Sequence, residues 1–253
     1  MSVHKRIDTR AGGKVARLTL DNPSKLNILS PEMLAAVARA FREVEADVRA
    51  VVVTGAGEKA FIGGADLAAL GGLTPATARE FITLVHGACR AARECPVPVL
   101  ARINGWCLGA GMELAAACDL RIASTAANFG MPEVRLGIPS VVEAALLPRL
   151  IGHDKCRWLV MTGETIDAQE ALQWGFLEKV VAPEGLDALT DRTLDALLAG
   201  SDAALRAQKQ LCHLWEEAPL GESIRASIDA FAQSYASDEP RDLIRAFRGK
   251  KGK

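Results

Sequence analysis

The sequence predicts an α/β fold with a helical C-terminal region, and three observations carry that reading. Short apolar runs of strand length alternate with segments of helical spacing up to about residue 125. Most of these runs are apolar throughout, as strands of a buried and largely parallel sheet are. From Val141 onward helical patterns dominate, with one short strand near Leu177 to Val181.

The first strand, Val15 to Leu20, alternates and is closed by the turn Asp21-Asn-Pro-Ser24. Ser30-Pro-Glu-Met opens a helix, with Ser30 at the N-cap and Pro31 at the first helical position. Leu34, Val37, Ala38, Phe41 and Val44 keep its apolar face. Ala50 to Thr54 is a buried-type strand, and a Gly-rich stretch from Gly55 to Gly72 follows. Pro75 to Arg93 is helical, Val97 to Ile103 is a strand, and Asn104-Gly105 turns the chain. Gly109 to Cys118 reads as a helix and Leu120 to Ala123 as a strand. Further helices are expected over 167–174, 184–199, 201–217 and 221–235, and the basic end from Arg248 to Lys253 reads as frayed. The expected division is a core of residues 1–190 carrying the site and a helical region of residues 191–253.

Bulk properties narrow the function. The 253 residues are 49% hydrophobic and 24% charged, enough to bury a sizeable core. A formal net charge of -1 gives no global attraction to nucleic acid or anionic membrane. No apolar run approaches the roughly 20 residues of a membrane span. The polar start, Met1 to Arg10, lacks the apolar stretch of a signal peptide, so a cytoplasmic protein is expected. Cys89, Cys95, Cys107, Cys118, Cys156 and Cys212 show no C-x-x-C spacing and read as reduced, mostly buried thiols. His4, His86, His153 and His213 are scattered, so no metal site is expected.

Three segments could carry chemistry. Lys59-Ala-Phe-Ile-Gly-Gly-Ala-Asp-Leu67 pairs two glycines after an apolar run, which lets backbone approach a ligand closely. Asn104-Gly-Trp-Cys-Leu-Gly-Ala-Gly-Met-Glu113 leads from a turn into a helix start, where free N–H groups suit a developing anion. Phe129-Gly-Met-Pro-Glu133 is a loop that places one acid between prolines. Two backbone N–H groups, one from each Gly-rich segment, could hold the oxygen of an activated carbonyl. Glu113 and Glu133 could then divide the proton work. The plainer alternative makes the glycines turns and the glutamates surface or capping groups. Val51-Val-Val-Thr-Gly-Ala-Gly57 contains part of a dinucleotide fingerprint, but Gly63 and Gly64 interrupt the helix that should follow. Cys107 has no partner histidine in a recognisable motif and reads as packing, and there is no G-x-S-x-G.

These segments, together with Cys118-Asp-Leu-Arg-Ile-Ala123, occur in the order and combination of a known family. From about Val15 to Phe247 the sequence resembles the enoyl-CoA hydratase/isomerase (crotonase) superfamily. The resemblance implies a spiral of ββα units with a helical C-terminal oligomerisation region, and homotrimers or dimers of trimers. It implies an acyl-CoA thioester substrate, with coenzyme A part of the substrate and no other cofactor. Ala65 and Ala110 match the oxyanion-hole donors, and Ala110 stands where many members have glycine. Glu113 and Glu133 match the two catalytic glutamates of the hydratases. Lys59, Asp66 and Leu67 fall where the family contacts the substrate, Lys59 near the nucleotide. Phe247 and Lys250 resemble a C-terminal pair that touches coenzyme A. The implied reaction is syn hydration of a trans-2-enoyl thioester: Glu113 activates water for attack at C3, and Glu133 delivers the proton at C2. An isomerase, decarboxylase or hydrolase acting on another acyl-CoA is the alternative within the fold, and a non-catalytic oligomeric scaffold the alternative outside it.

One stretch departs from the family. After Pro139 many hydratases carry Gly-Ala-Gly-Gly-Thr, where this chain has Ser140-Val-Val-Glu143-Ala-Ala. That wall is bulkier and brings a third acid. Ser140-x-x-Glu143 also has the pattern of a capping box, which alone explains both residues.

Overall fold

The computed structural model describes residues 2–250, Lys250 by its backbone alone. In chain order the first compact unit holds β1 (Ser2–Arg10), β2 (Gly13–Asp21), α1 (Pro31–Arg42), β3 (Val48–Gly55), β4 (Ala60–Ile62), α2 (Leu67–Gly71) and α3 (Pro75–Arg93). It continues with β5 (Val99–Ile103), β6 (Trp106–Leu108), α4 (Ala110–Ala117), β7 (Leu120–Ser124), β8 (Asn128–Gly130), α5 (Leu147–Ile151) and α6 (His153–Thr162). It ends with β9 (Thr165–Asp167), α7 (Ala168–Trp174), β10 (Lys179–Val181) and α8 (Leu186–Leu198). The second unit holds α9 (Asp202–Glu217), α10 (Leu220–Ser234) and α11 (Glu239–Lys250).

The larger sheet runs β1-β2-β3-β5-β7-β10, and the smaller runs β4-β6-β8-β9. Apart from the antiparallel β1–β2 hairpin, the larger sheet is parallel. Parallel strands need both faces covered, and the side chains of β3 show it. Val51 and Val53 join the main core with α1, α3 and α4, while Ala50 and Val52 face the other way. On that second face Leu186, Leu189, Leu194 and Leu198 of α8 pack against Val15, Val52, Leu100 and Ile122. The two units divide between Ala199 and Gly200, so the expected boundary at residue 190 falls inside α8.

The repeat is a strand of the large sheet, a short strand of the small sheet, then a helix: β3-β4-α2/α3, β5-β6-α4, and β7-β8 with the helices after it. Because β4, β6 and β8 pair in parallel, their C-terminal ends leave the small sheet on one side. That topology brings together three segments far apart in sequence: Gly63 to Asp66, Gly109 to Glu113 and Met131 to Glu133.

Candidate active site

Gly63 to Asp66 is held from outside by Leu26 to Leu29. Gly63 N–H donates to Leu26 O (2.8 Å), Leu29 N–H to Gly64 O (2.9 Å) and Asp66 N–H to Leu29 O (3.0 Å). These bonds use the carbonyl before Ala65 and the N–H after it, so the Ala65 N–H faces away from Leu29. Gly64 has φ +111, and a side chain on it would lie 3.4 Å from the Leu108 carbonyl. The two Gly-rich segments therefore run side by side. Ala110 opens α4, and an N–H at that position has no acceptor within its own helix. Ala65 and Ala110 both line one large cavity of about 1220 Å³. Asp66 caps α2 by accepting the Ala68 N–H (2.9 Å), and Asp66 and Leu67 line the same cavity.

Glu113 and Glu133 meet in this cavity. Glu113 lies one turn into α4 and is 4% exposed. Burial raises its carboxyl to about 8; the charges of Glu133 and Glu143 add to the rise, and the Ala144 N–H bonded to it opposes it. Glu133 comes from the 3-10 turn Pro132–Leu136. Ser140 Oγ donates to its Oε2 at 2.7 Å and fixes the carboxyl in place. Gly109, with φ +51, leaves the room that Glu133 occupies: a side chain there would strike Glu133 Oε1. Glu113 thus keeps its proton across neutral pH, beside a second carboxyl in the same cavity. Leu70, Leu73, Phe81, Ile82 and Val85 from α2, α3 and their connection, with Val141, make the rest of the wall largely apolar.

The capping box of Ser140 and Glu143 does not form. The 3-10 turn Val142–Leu146 begins one residue too late for it, with Val141 at its N-cap and no side chain capping it. Ser140 is turned to Glu133 instead, and Glu143 is turned inward to His86 of α3, with Oε1 2.7 Å from Nδ1. Neither contact has a periodic signal, since both join loop residues to partners set by the backbone path. Cys107 is fully buried, and burial holds its thiol well above the ordinary range.

Residues 10–252 match the family model described as enoyl-CoA hydratase/isomerase. The chain belongs to the enoyl-CoA hydratase/isomerase family. It is 34% identical over 238 residues to the short-chain-enoyl-CoA hydratase of Clostridium acetobutylicum, covering 93% of this chain and 91% of that one. It superposes on the crystal structure of an enoyl-CoA hydratase from Bacillus anthracis with a TM-score of 0.91, 30% identity and coverage of 97% and 96%. A Thermobifida fusca relative solved in complex with CoA matches with a TM-score of 0.83 and 33% identity over 93% of both chains. The spiral described above is accordingly the crotonase fold.

Within this crotonase frame three expected residues remain to be placed. Lys59 is exposed just before β4, its carbonyl accepting the Trp106 N–H (3.0 Å), and does not line the cavity. Phe247 is exposed on α11 of the second unit. The Lys250 side chain lies outside the described residues. Among the described residues no helix is long and apolar enough to cross a membrane.

Proposed function

We propose that this enzyme hydrates trans-2-enoyl-CoA thioesters, using the Ala65 and Ala110 N–H groups as an oxyanion hole and Glu113 with Glu133 as its acid–base pair. The observation that carries the reading is the convergence of two carboxyls, Glu113 held protonated by burial and Glu133 held by Ser140, in an apolar cavity lined by Ala65 and Ala110. The N–H groups polarise the thioester carbonyl, which makes C3 of the conjugated double bond electrophilic. A water lies between the two carboxyls. One carboxylate accepts its proton as the oxygen attacks C3, and the enolate charge that develops rests on the N–H pair. The other carboxyl gives a proton to C2 on the same face. A shared water lets either glutamate hold the proton, so the two act as one titrating unit.

The substrate brings its own coenzyme A, and the scheme calls for no metal or redox group. Asp66 and Leu67 line the cavity and are assigned to substrate binding, Lys59 is assigned to the nucleotide, and Phe247 with Lys250 to coenzyme A, by family position. Five of the six thiols are buried and all are unbridged, which fits a reducing cytoplasm.

The test is to mix purified protein with crotonyl-CoA and follow loss of the conjugated enoyl-thioester absorbance. Wild type is expected to consume it, and Glu133→Gln to lose roughly 10²-fold or more of kcat. Binding of the thioester without absorbance loss in the wild type would overturn the hydratase reading.

A further inference from the structure

Glu143 is a buried acid that the hydration scheme leaves unused. It is 7% exposed, and it stands behind the cavity wall rather than in it. One carboxyl oxygen meets His86 Nδ1 at 2.7 Å, while Oε2 is buried with no hydrogen-bond partner among the described residues. Leaving such an atom unpaired carries a desolvation cost. The preceding residue, Val142, has φ +42, a conformation that β-branched residues rarely adopt. Both costs fall on one short turn, and the next residue of that turn, Ala144, closes it by giving its N–H to Val141 O (2.9 Å) while the same N–H also faces Glu113. The turn thus sets a donor beside the buried acid. Its polar tie to α3 is the His86–Glu143 bond.

We infer that His86 and Glu143 are positioning residues: their bond clamps the 142–146 turn so that the Ala144 N–H stays on Glu113, and it links the charge on Glu113 to a histidine that reaches solvent. His86 suits that place, since its side chain is 48% exposed while its partner's is 8%. The inference rests on Glu113 being an acid–base group. The ionisable groups facing this cluster are Glu133 from the 132–136 turn, Cys89 from α3 and Cys118 after α4. Cys89 remains a thiol, because burial first and the two neighbouring glutamates next hold it well above its ordinary range. Glu143 acts on Glu113 in two opposed ways. Its charge favours the protonated acid, while the donor it helps to place favours the ionised one.

Those two effects separate by mutation. Glu143→Gln keeps a hydrogen bond to His86 and deletes the charge, so the alkaline limb of kcat/KM moves to lower pH, by roughly half a unit or more. His86→Ala removes the bond that holds Glu143 and releases the turn, so the limb moves to higher pH. His86→Gln, which can still donate to Glu143, returns it toward wild type. The experiment is the pH profile of crotonyl-CoA hydration for these variants beside wild type and Glu113→Gln. A purely structural role would lower rate and melting temperature with the limb unmoved, and an unmoved limb in both Glu143→Gln and His86→Ala overturns the inference. If Glu143→Gln does not fold, the His86→Ala and His86→Gln pair decides it, because that side chain is half exposed. Full activity in Glu113→Gln would instead remove the acid–base assignment beneath it, a result distinct from an unmoved limb.

Discussion

Glu113 is held in a form that the unfolded chain would not keep. Its carboxyl titrates near 8 in the folded protein, chiefly because burial penalises the charge, whereas a free glutamate titrates near about 4.3. The native state thus binds a proton that the unfolded state has released. The stability this gives is fully present below the unfolded value and is lost as pH rises through the folded one, by at most roughly 1.4 kcal/mol per pH unit. Glutamine has no proton to lose and can accept the same Ala144 N–H. Glu113→Gln is therefore expected to melt at a higher temperature than wild type near pH 8 and to lose that advantage toward about pH 5, while hydrating poorly at every pH. Melting curves across that range check it, and a variant less stable than wild type near pH 8 would contradict it. The wild-type rate should in turn fall as pH rises through about 8, where Glu113 gives up its proton.

The loop between β3 and β4 shows how a neutral, buried side chain can position a catalytic backbone. Asn27, with φ +55, donates from Nδ2 to the carbonyls of Ala56 (3.0 Å) and Ala60 (2.9 Å) and accepts the Asn22 N–H (2.9 Å). Asn104 Nδ2 holds the carbonyls of Gly55 (3.1 Å) and Gly57 (2.6 Å) from the other side. Asn27→Ala removes three hydrogen bonds of a buried side chain and places a residue that disfavours positive φ, a loss of roughly 2–4 kcal/mol. Expected results are a lower melting temperature, faster amide exchange in β4, and a raised KM as the Ala65 N–H drifts. Protection in β4 equal to wild type would contradict the role. None of this was legible in the sequence, and the reason is physical. The Ser30 cap, where Oγ accepts the Met33 N–H at 3.3 Å, and the Pro75 start of α3 were readable because local chemistry decides them. So were the buried parallel strands, whose apolar runs leave no other place to go. β4, β6 and β8 are three residues each, too short to show a period, and β1 is a polar edge strand held by its antiparallel pairing to β2, with ion pairs such as Arg17–Asp8 across it. The Ser140 pattern misled because the same two residue types serve a cap or a buried network, and only the path of the backbone chooses.

The second unit leaves an apolar face that a single copy does not cover. Leu220, Ile224, Ile228 and Phe231 repeat at helical spacing along α10, and each is more than half exposed. With Trp215 of α9 they line an opening of about 700 Å³. Leu243, Ile244 and Phe247 repeat the pattern on α11. Fully burying a large apolar side chain contributes about 1.5–3 kcal/mol, so four on one face supply a driving force for association, offset by its entropic cost. We propose that other copies of the chain cover this face, in the trimer or dimer of trimers that the family resemblance implies. Ile228→Asp with Phe231→Asp places charge in the middle of it and should dissociate the assembly, because an unpaired buried charge costs more than the packing returns. Sedimentation velocity at micromolar concentration reads the outcome directly: a multiple of the 26.9 kDa chain for wild type and a smaller species for the double variant. A wild type that sediments as one chain would show that the face is covered by something else. If the double variant dissociates and still hydrates crotonyl-CoA with an unchanged KM, then every group the substrate needs lies within one copy. A KM that rises on dissociation would instead place part of the coenzyme A contact, Phe247 foremost, across two copies.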